Sequence, residues 1–425
     1  MRSAAVYFVG IVAWGACAPA APVADKGVPR TLIDRTLQER QVQLTGLEPG
    51  TVSYTDSGGL VRTEPSDELL AILPGSDDGT AAGAALRPPS VVELVDGQRF
   101  AGTLGAIRGE PGDSIAWDHP VLGTLEIKLD HIRRFQFRSG ARAEAGTPSA
   151  PGDSDTAVLT NGDRVVGLVE GIGAAGGKPV LRLAGGPQSR DIPLERVQEV
   201  LLMSNPAASA PAGSVMAWLR DGSIVACRAL HTNRTGEVSL DLAMQEPRKG
   251  AGEPGTLAAP SVVSLTDVLG ADLHPGTMVP LASLNPVEQT AASSRRWTRP
   301  VAVVSPDALL RLSDVEVPGP MSAEWEIPAG ALRFSAEAEL PRAMWNWGDC
   351  TVAITVRAEG RDKELFRQRL TAEQPRATIN APLEKLGAGA RLRVTVEAGS
   401  AGPVQDRVVL KRPVLLVGTA KPASP

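Results

Sequence analysis

Val91–Gly102 reads VVELVDGQRFAG, two short apolar runs either side of Asp96-Gly97. Asp-Gly tolerates positive φ, so this text predicts a β-hairpin with a two-residue turn. The pattern recurs. Ala157–Gly167 is AVLTNGDRVVG around Asn161-Gly162, and Val215–Cys227 is VMAWLRDGSIVAC around Asp221-Gly222. A weaker copy, TLIDRTLQERQVQL, opens at Thr31 with Asp34-Arg35 in the turn.

Working outward, each copy has the same order of parts. A second strand follows the turn: RFAGTLGAI, RVVGLVEGI, IVACRAL. A third comes after it: SIAWDH, PVLRLAG, EVSLDLA. A phrase with Leu, a polar pair, then Ile or Val closes the unit, at Leu129, Leu194 and Leu265, and at Pro65 as PSDELLAIL. That phrase predicts one helical turn and then a strand. Four units result, at 31–73, 90–138, 156–204 and 214–273. Internal repetition on this scale outranks local propensity as a guide to architecture. Short twisted strands in so few residues resemble small SH3-like or Sm-like barrels. Units this small bury little surface, so they should pack in pairs. Pro/Ala/Gly/Ser spacers from Pro74, Ser139 and Asn205, and an insertion from Gln245, separate or interrupt them as linkers.

The totals agree. The chain has 425 residues, enough for several domains, with 44 glycines, 35 prolines and only 4% aromatic residues. Net charge is −5 and the arginines are scattered, which argues against nucleic-acid partners. The first 21 residues carry Arg2, an apolar run and Ala18-Pro19-Ala20, the plan of a signal peptide for secretion or the periplasm. Gly15-Ala16-Cys17 also fits a lipid-anchoring signal at Cys17. No later segment is long and apolar enough to span a bilayer. Cys227 and Cys350 fall in different domains and read as buried thiols, with a cross-domain disulfide as the alternative.

From Leu281 the text changes to alternating or continuous apolar runs, among them CTVAITVRAEG, ARLRVTVEAG and RVVLKRPVLLVG, the pattern of an antiparallel β-sandwich. The predicted class is therefore all-β: tandem small barrels, a jelly-roll-like sandwich over 280–418, and a disordered tail at 419–425.

Glu324–Leu340, EWEIPAGALRFSAEAEL, and the closing run from Arg391 through Gly402, Asp406 and Pro413 resemble the novel carbohydrate-binding modules found with glycoside hydrolase family 98. The lead-in from Asp272 is similar too. Leu410 stands where that family has Trp. The resemblance implies a glycan-binding sandwich, sometimes with calcium. Asp406 would then be the metal ligand, with carbonyls of the Gly399–Pro403 turn.

Carbohydrate sites need an aromatic face for the sugar ring and polar groups for its hydroxyls. Trp345, Asn346, Trp347 and Asp349 supply both within five residues, between two predicted strands. Trp117, Trp218 and Trp325 read as core. Four separated histidines and no paired Cys/His spacing argue against zinc. Gly171–Gly176 matches G-x-G-x-x-G, but Gly177-Lys178-Pro179 would break the helix such a site needs, so it reads as a hairpin loop. With no catalytic motif, the expectation is an exported, non-catalytic protein whose sandwich contacts a glycan or envelope polymer. The alternative is a structural or protein-interaction protein with a degenerate sugar site and protein partners on its repeats. Leu410 favours the alternative, and the Trp345–Trp347 loop favours the first.

Overall fold

The computed structural model describes residues 27–75, 90–107, 112–137, 154–185, 189–203, 210, 213–233, 236–243, 261–291, 299–304, 308–383, 386–387, 389–400, 402 and 405–418. The leader with Cys17, most of the spacers, the insertion after Gln245 and the tail lie outside them. Among the described residues the protein is all-β, and its helices are single 3-10 turns. None is long and apolar enough to cross a membrane.

The repeats share one strand plan. In the third unit, Asp155–Leu159 pairs with Arg164–Ala175, which pairs with Lys178–Ala184, which pairs with Ser189–Pro193. A 3-10 turn at Leu194–Arg196 then leads into Val197–Leu201, which returns to the opening strand. The first and second units repeat this, with 3-10 turns at Ser66–Glu68 and Leu129–His131. In the fourth unit Leu265–Asp267 is a plain turn instead. Even the irregularities recur. The opening and closing strands slip register at Ile33/Asp34, Ile132/Arg134, Val158/Leu159 and Trp218/Leu219. Such bulges strengthen local twist and help a short sheet curl. The G-x-G-x-x-G text is a hairpin, with positive φ at Gly176 and Gly177.

The repeated turn differs from its expected form. Gly162 has φ of 89°, but Asn161 does not have positive φ. Leu159 N donates to Asp163 O at 2.8 Å and Gly162 N to Leu159 O at 2.9 Å. The loop therefore has three residues, a turn closed by a left-handed glycine. The same bonds form at Leu94/Gln98 and Leu219/Ser223. In the first unit they join Asp34 to Gln38, so Leu37, with φ of 59°, takes the glycine position rather than Arg35. A left-handed leucine costs about 1–2 kcal/mol. Burying its side chain recovers a similar amount, and Leu37 is 6% exposed.

Pairing between units uses mainly their closing strands, with Ile224 of the fourth also paired to Arg99 of the second. Arg134–Gln136 of the second unit lies antiparallel to Glu199–Leu201 of the third, and Ala271 and Asp272 of the fourth pair with Ile72 and Ala71 of the first. One apolar core runs through all four units, from Leu32 and Tyr54 through Phe100, Trp117 and Phe135 to Val200 and Leu240. Trp117 and Trp325 are core as expected, at 0% and 1% exposure. Trp218 is buried instead in a second cluster, with Leu37, Leu70, Leu310, Leu312, Val414 and Leu416, where the first and fourth units meet the sandwich. Arg412 to Glu39 at 2.8 Å and Asn380 to Thr36 O at 3.1 Å edge that junction.

The sandwich has two antiparallel sheets. One orders Ala302–Val304, Asp314–Pro318, Arg407–Val417, Ala331–Glu339 and Arg376–Pro382. The other orders Glu288–Ala291, Met321–Glu326, Arg391–Ala398, Cys350–Ala358 and Arg361–Leu370. Trp325, Phe334, Ile354 and Leu392 fill the space between them. Cys227 and Cys350 are both free and buried, and burial pushes each thiol up to about 12.

Two buried polar bolts hold the units. Arg30, 2% exposed, reaches from the first unit to Leu265 O at 3.2 Å and Val268 O at 2.9 Å in the fourth. His119 of the second unit sits 2.9 Å from Ser223 Oγ and 3.2 Å from Asp221 Oδ2 of the fourth. This trio is not a nucleophile and its base. His119 Nδ1 accepts the amides of Val121 and Leu122, both at 3.0 Å, so the ring proton sits on Nε2. Ser223 is fully buried and its Oγ accepts the Ala101 amide at 3.0 Å.

Arg30→Ala should destabilise the chain by about 2–3 kcal/mol, because buried carbonyls lose their donor. A urea midpoint equal to wild type would contradict that role. Burial holds the His119 pKa below 6.5 against the opposing pull of Asp221. The folded state thus binds fewer protons than the unfolded one. The stability His119 contributes is present above about pH 6.5 and is lost as pH falls below it. The thermal midpoint of wild type should drop more steeply between pH 7 and pH 5 than that of His119→Gln; parallel curves would refute the assignment.

Candidate functional site

Three loops gather at one end of the sandwich, and each crosses from one sheet to the other. They join Ala331–Glu339 to Cys350–Ala358, Arg361–Leu370 to Arg376–Pro382, and Arg391–Ala398 to Arg407–Val417. The first carries all four residues expected to bind sugar. Pro341 starts a 3-10 turn, Arg342–Met344, and Trp345–Trp347 continue as a turn. Gly348 N closes it onto Met344 O at 2.6 Å. A Cβ at Gly348 would stand 2.6 Å from that same oxygen, so only glycine fits.

Trp345 and Trp347 are 37% and 62% exposed. Trp345 Nε1 donates to Leu340 O at 2.9 Å, which pins one indole edge to the sandwich. The Arg342 guanidinium lies 5.9 Å from the Trp345 ring centre. Asn346, between them in sequence, is exposed.

Asp349, the last of the four, is half-buried. Its carboxylate takes Arg369 Nε and Nη2 at 2.6 and 2.5 Å and Ser400 Oγ at 2.6 Å. Arg369 first, then Ser400, hold its carboxyl well below the usual carboxylate range. Asp349 thus ties the aromatic loop to the strand Arg361–Leu370, through Arg369, and to the third loop, through Ser400. Arg369 and Ser400 escape sequence reasoning because they lie 20 and 51 residues away and only strand register brings them in. Arg342 does carry a signal, its three-residue spacing from Trp345 on a tight turn.

Asp406 is 2% exposed, beneath the aromatic loop. The Asp349 amide lies 3.4 Å from its Oδ1, and its carbonyl accepts the Gly319 amide. Calcium takes six to eight oxygens, several of them carboxylate. Here the nearby carboxylate, Asp349, is already neutralised by Arg369. No group of three His, Cys, Asp or Glu placed to hold a metal occurs among the described residues. Pro403 lies outside them.

Leu410 is fully buried in the sandwich core, paired with Val315 and Ala338. Leu in place of Trp there bears on packing and not on the loop surface.

No family model matches the chain, and no curated protein matches it. Solved structures do. A CBM51 module from Clostridium perfringens GH95 in complex with methyl-galactose aligns at 12% identity over 33% of this chain and 99% of its own, with a TM-score of 0.25. The CBM51-2 and INT domains of Clostridium perfringens ZmpB, in complex with GlcNAc, align at 13% identity over 36% of each chain, with a TM-score of 0.25. A family two carbohydrate esterase from Cellvibrio japonicus aligns at 12% identity over 33% of each chain, with a TM-score of 0.21. This chain thus spans about a third of the latter two. At TM-scores of 0.25 and below, none of these likenesses bears on what this chain binds.

The two classes of tryptophan should separate in stability. Trp347→Ala should change unfolding free energy by less than about 0.5 kcal/mol, as exposed substitutions do, whereas Trp325→Ala should cost about 3–5 kcal/mol. Equal losses in chemical denaturation would place Trp347 in the packing instead of on the surface.

Proposed function

We propose that this protein is an exported, non-catalytic glycan-binding protein whose C-terminal sandwich seats carbohydrate, or a cell-envelope polymer, on Trp345 and Trp347. One observation carries the reading: two exposed indoles in a five-residue turn that is clamped from below. Large aromatic surface is ordinarily withdrawn from water, and exposing two rings on a fixed loop is uneconomical unless something covers them. A sugar ring presents an apolar face to an indole and hydroxyls to neighbours such as Asn346. The clamp, Asp349 with Arg369 and Ser400, lowers the entropy lost when the loop is fixed by a ligand.

In this reading residues 1–21 direct export, with Cys17 as the alternative lipid-anchor point. Residues 31–73, 90–138, 156–204 and 214–273 are SH3- or Sm-like barrels that carry the sandwich at 280–418. The sandwich buries Leu310, Leu312, Val414 and Leu416 against the units, so the whole chain, rather than an isolated fragment, is the sample to test.

A second reading makes the units the functional part, as a surface for protein partners. Leu60 and Val61 at 60% and 76% exposure, and Val166 and Leu168 at 59% and 54%, favour it.

Glycan-array screening of the whole chain should give saturable binding, weakened at least about tenfold (~1.4 kcal/mol) by Trp345→Ala or Trp347→Ala. A folded chain that binds nothing on a broad panel would remove the glycan reading and leave the second.

A further inference from the structure

From the same turn we infer that the glycan is acidic, and that Arg342 is the residue that reads its charge; this rests on the glycan reading above. Most arginines around the site are committed. Arg369 meets Asp349, Arg367 meets Glu364 and Glu397, Arg376 meets Glu339, and Arg407 meets Glu316. Arg342 makes no ion pair among the described residues and instead lies over the Trp345 ring at 5.9 Å.

That placement has chemical consequences. Contact with a ring face draws on the guanidinium's charge and leaves its in-plane N–H donors for other groups. A planar fork of donors matches the two oxygens of a carboxylate or sulfate. Arg342 occupies a face of Trp345, and Trp345 Nε1 is bonded to Leu340 O. The more exposed Trp347 is therefore the main stacking platform, and Trp345, beside its own part in seating the sugar, positions the arginine. Of the carboxylates nearby, Asp349 is paired with Arg369 and Asp406 is buried, while Glu373 on the adjacent loop accepts from Thr371 and keeps its charge. The whole chain carries a net charge of −5, so any preference for an acidic polymer is local to this turn and not a bulk attraction.

The test is affinity electrophoresis of the whole chain at low salt against matched polymers: galactan with polygalacturonate, and dextran with dextran sulfate. Wild type should be held at least about fivefold more tightly by the acidic member of a pair. The favoured pair tells carboxylate from sulfate. Arg342→Gln should lower acidic binding to the neutral level and leave neutral binding unchanged, while Trp347→Ala removes both. Equal retention of neutral and acidic polymers by wild type would overturn the inference and leave the glycan reading standing. So would an acidic preference that survives Arg342→Gln, or a loss of neutral binding in that variant. A folded wild type that binds neither kind of polymer would overturn both.

Discussion

The antiparallel contact between closing strands is the interaction on which the rest of the molecule depends. A unit of about 45 residues buries too little surface to be stable alone, and its closing strand has a free edge that would otherwise invite aggregation. Pairing that edge with the same edge of another unit answers both needs. It does so twice, between the second and third units and between the first and fourth. The long spacers around the second and third units let the first and fourth meet although they are far apart in sequence. The cost of closing such a loop grows only slowly with its length.

Once the first and fourth units are joined, their outer surface becomes a seat for the sandwich. The seat is apolar and includes a strained position, Leu37, kept because its side chain is buried there. Val414 and Leu416 touch the seat from one end of the strand Arg407–Val417, and the aromatic loop stands at the other. Val414 lies eight positions beyond Asp406, at most about 26 Å at 3.3 Å per residue. The units therefore hold the sandwich from behind and leave the loop end to solvent.

At that end packing and charge have separate tasks. Gly348, the Leu340 carbonyl and the Asp349–Arg369–Ser400 cluster fix the loop. The groups left over, Trp347, Asn346 and Arg342, face outward. A surface residue with no structural task is where a ligand is most economically recognised, and the division follows from which polar groups already have partners.

By itself the sequence determined the all-β class, the repeated hairpins, the helical turn before three of the closing strands and the crowding of aromatics in one loop. All of these depend on neighbours within a dozen residues: alternation, a glycine able to take positive φ, and a run of Trp-Asn-Trp. Three things were decided only by the tertiary structure. Leu37 takes the glycine position, because a buried seat offsets its strain. The first unit pairs with the fourth, because edge pairing depends on surfaces and not on sequence order. Asp349 clamps the aromatic loop, because Arg369 and Ser400 reach it across strands whose register no local pattern specifies.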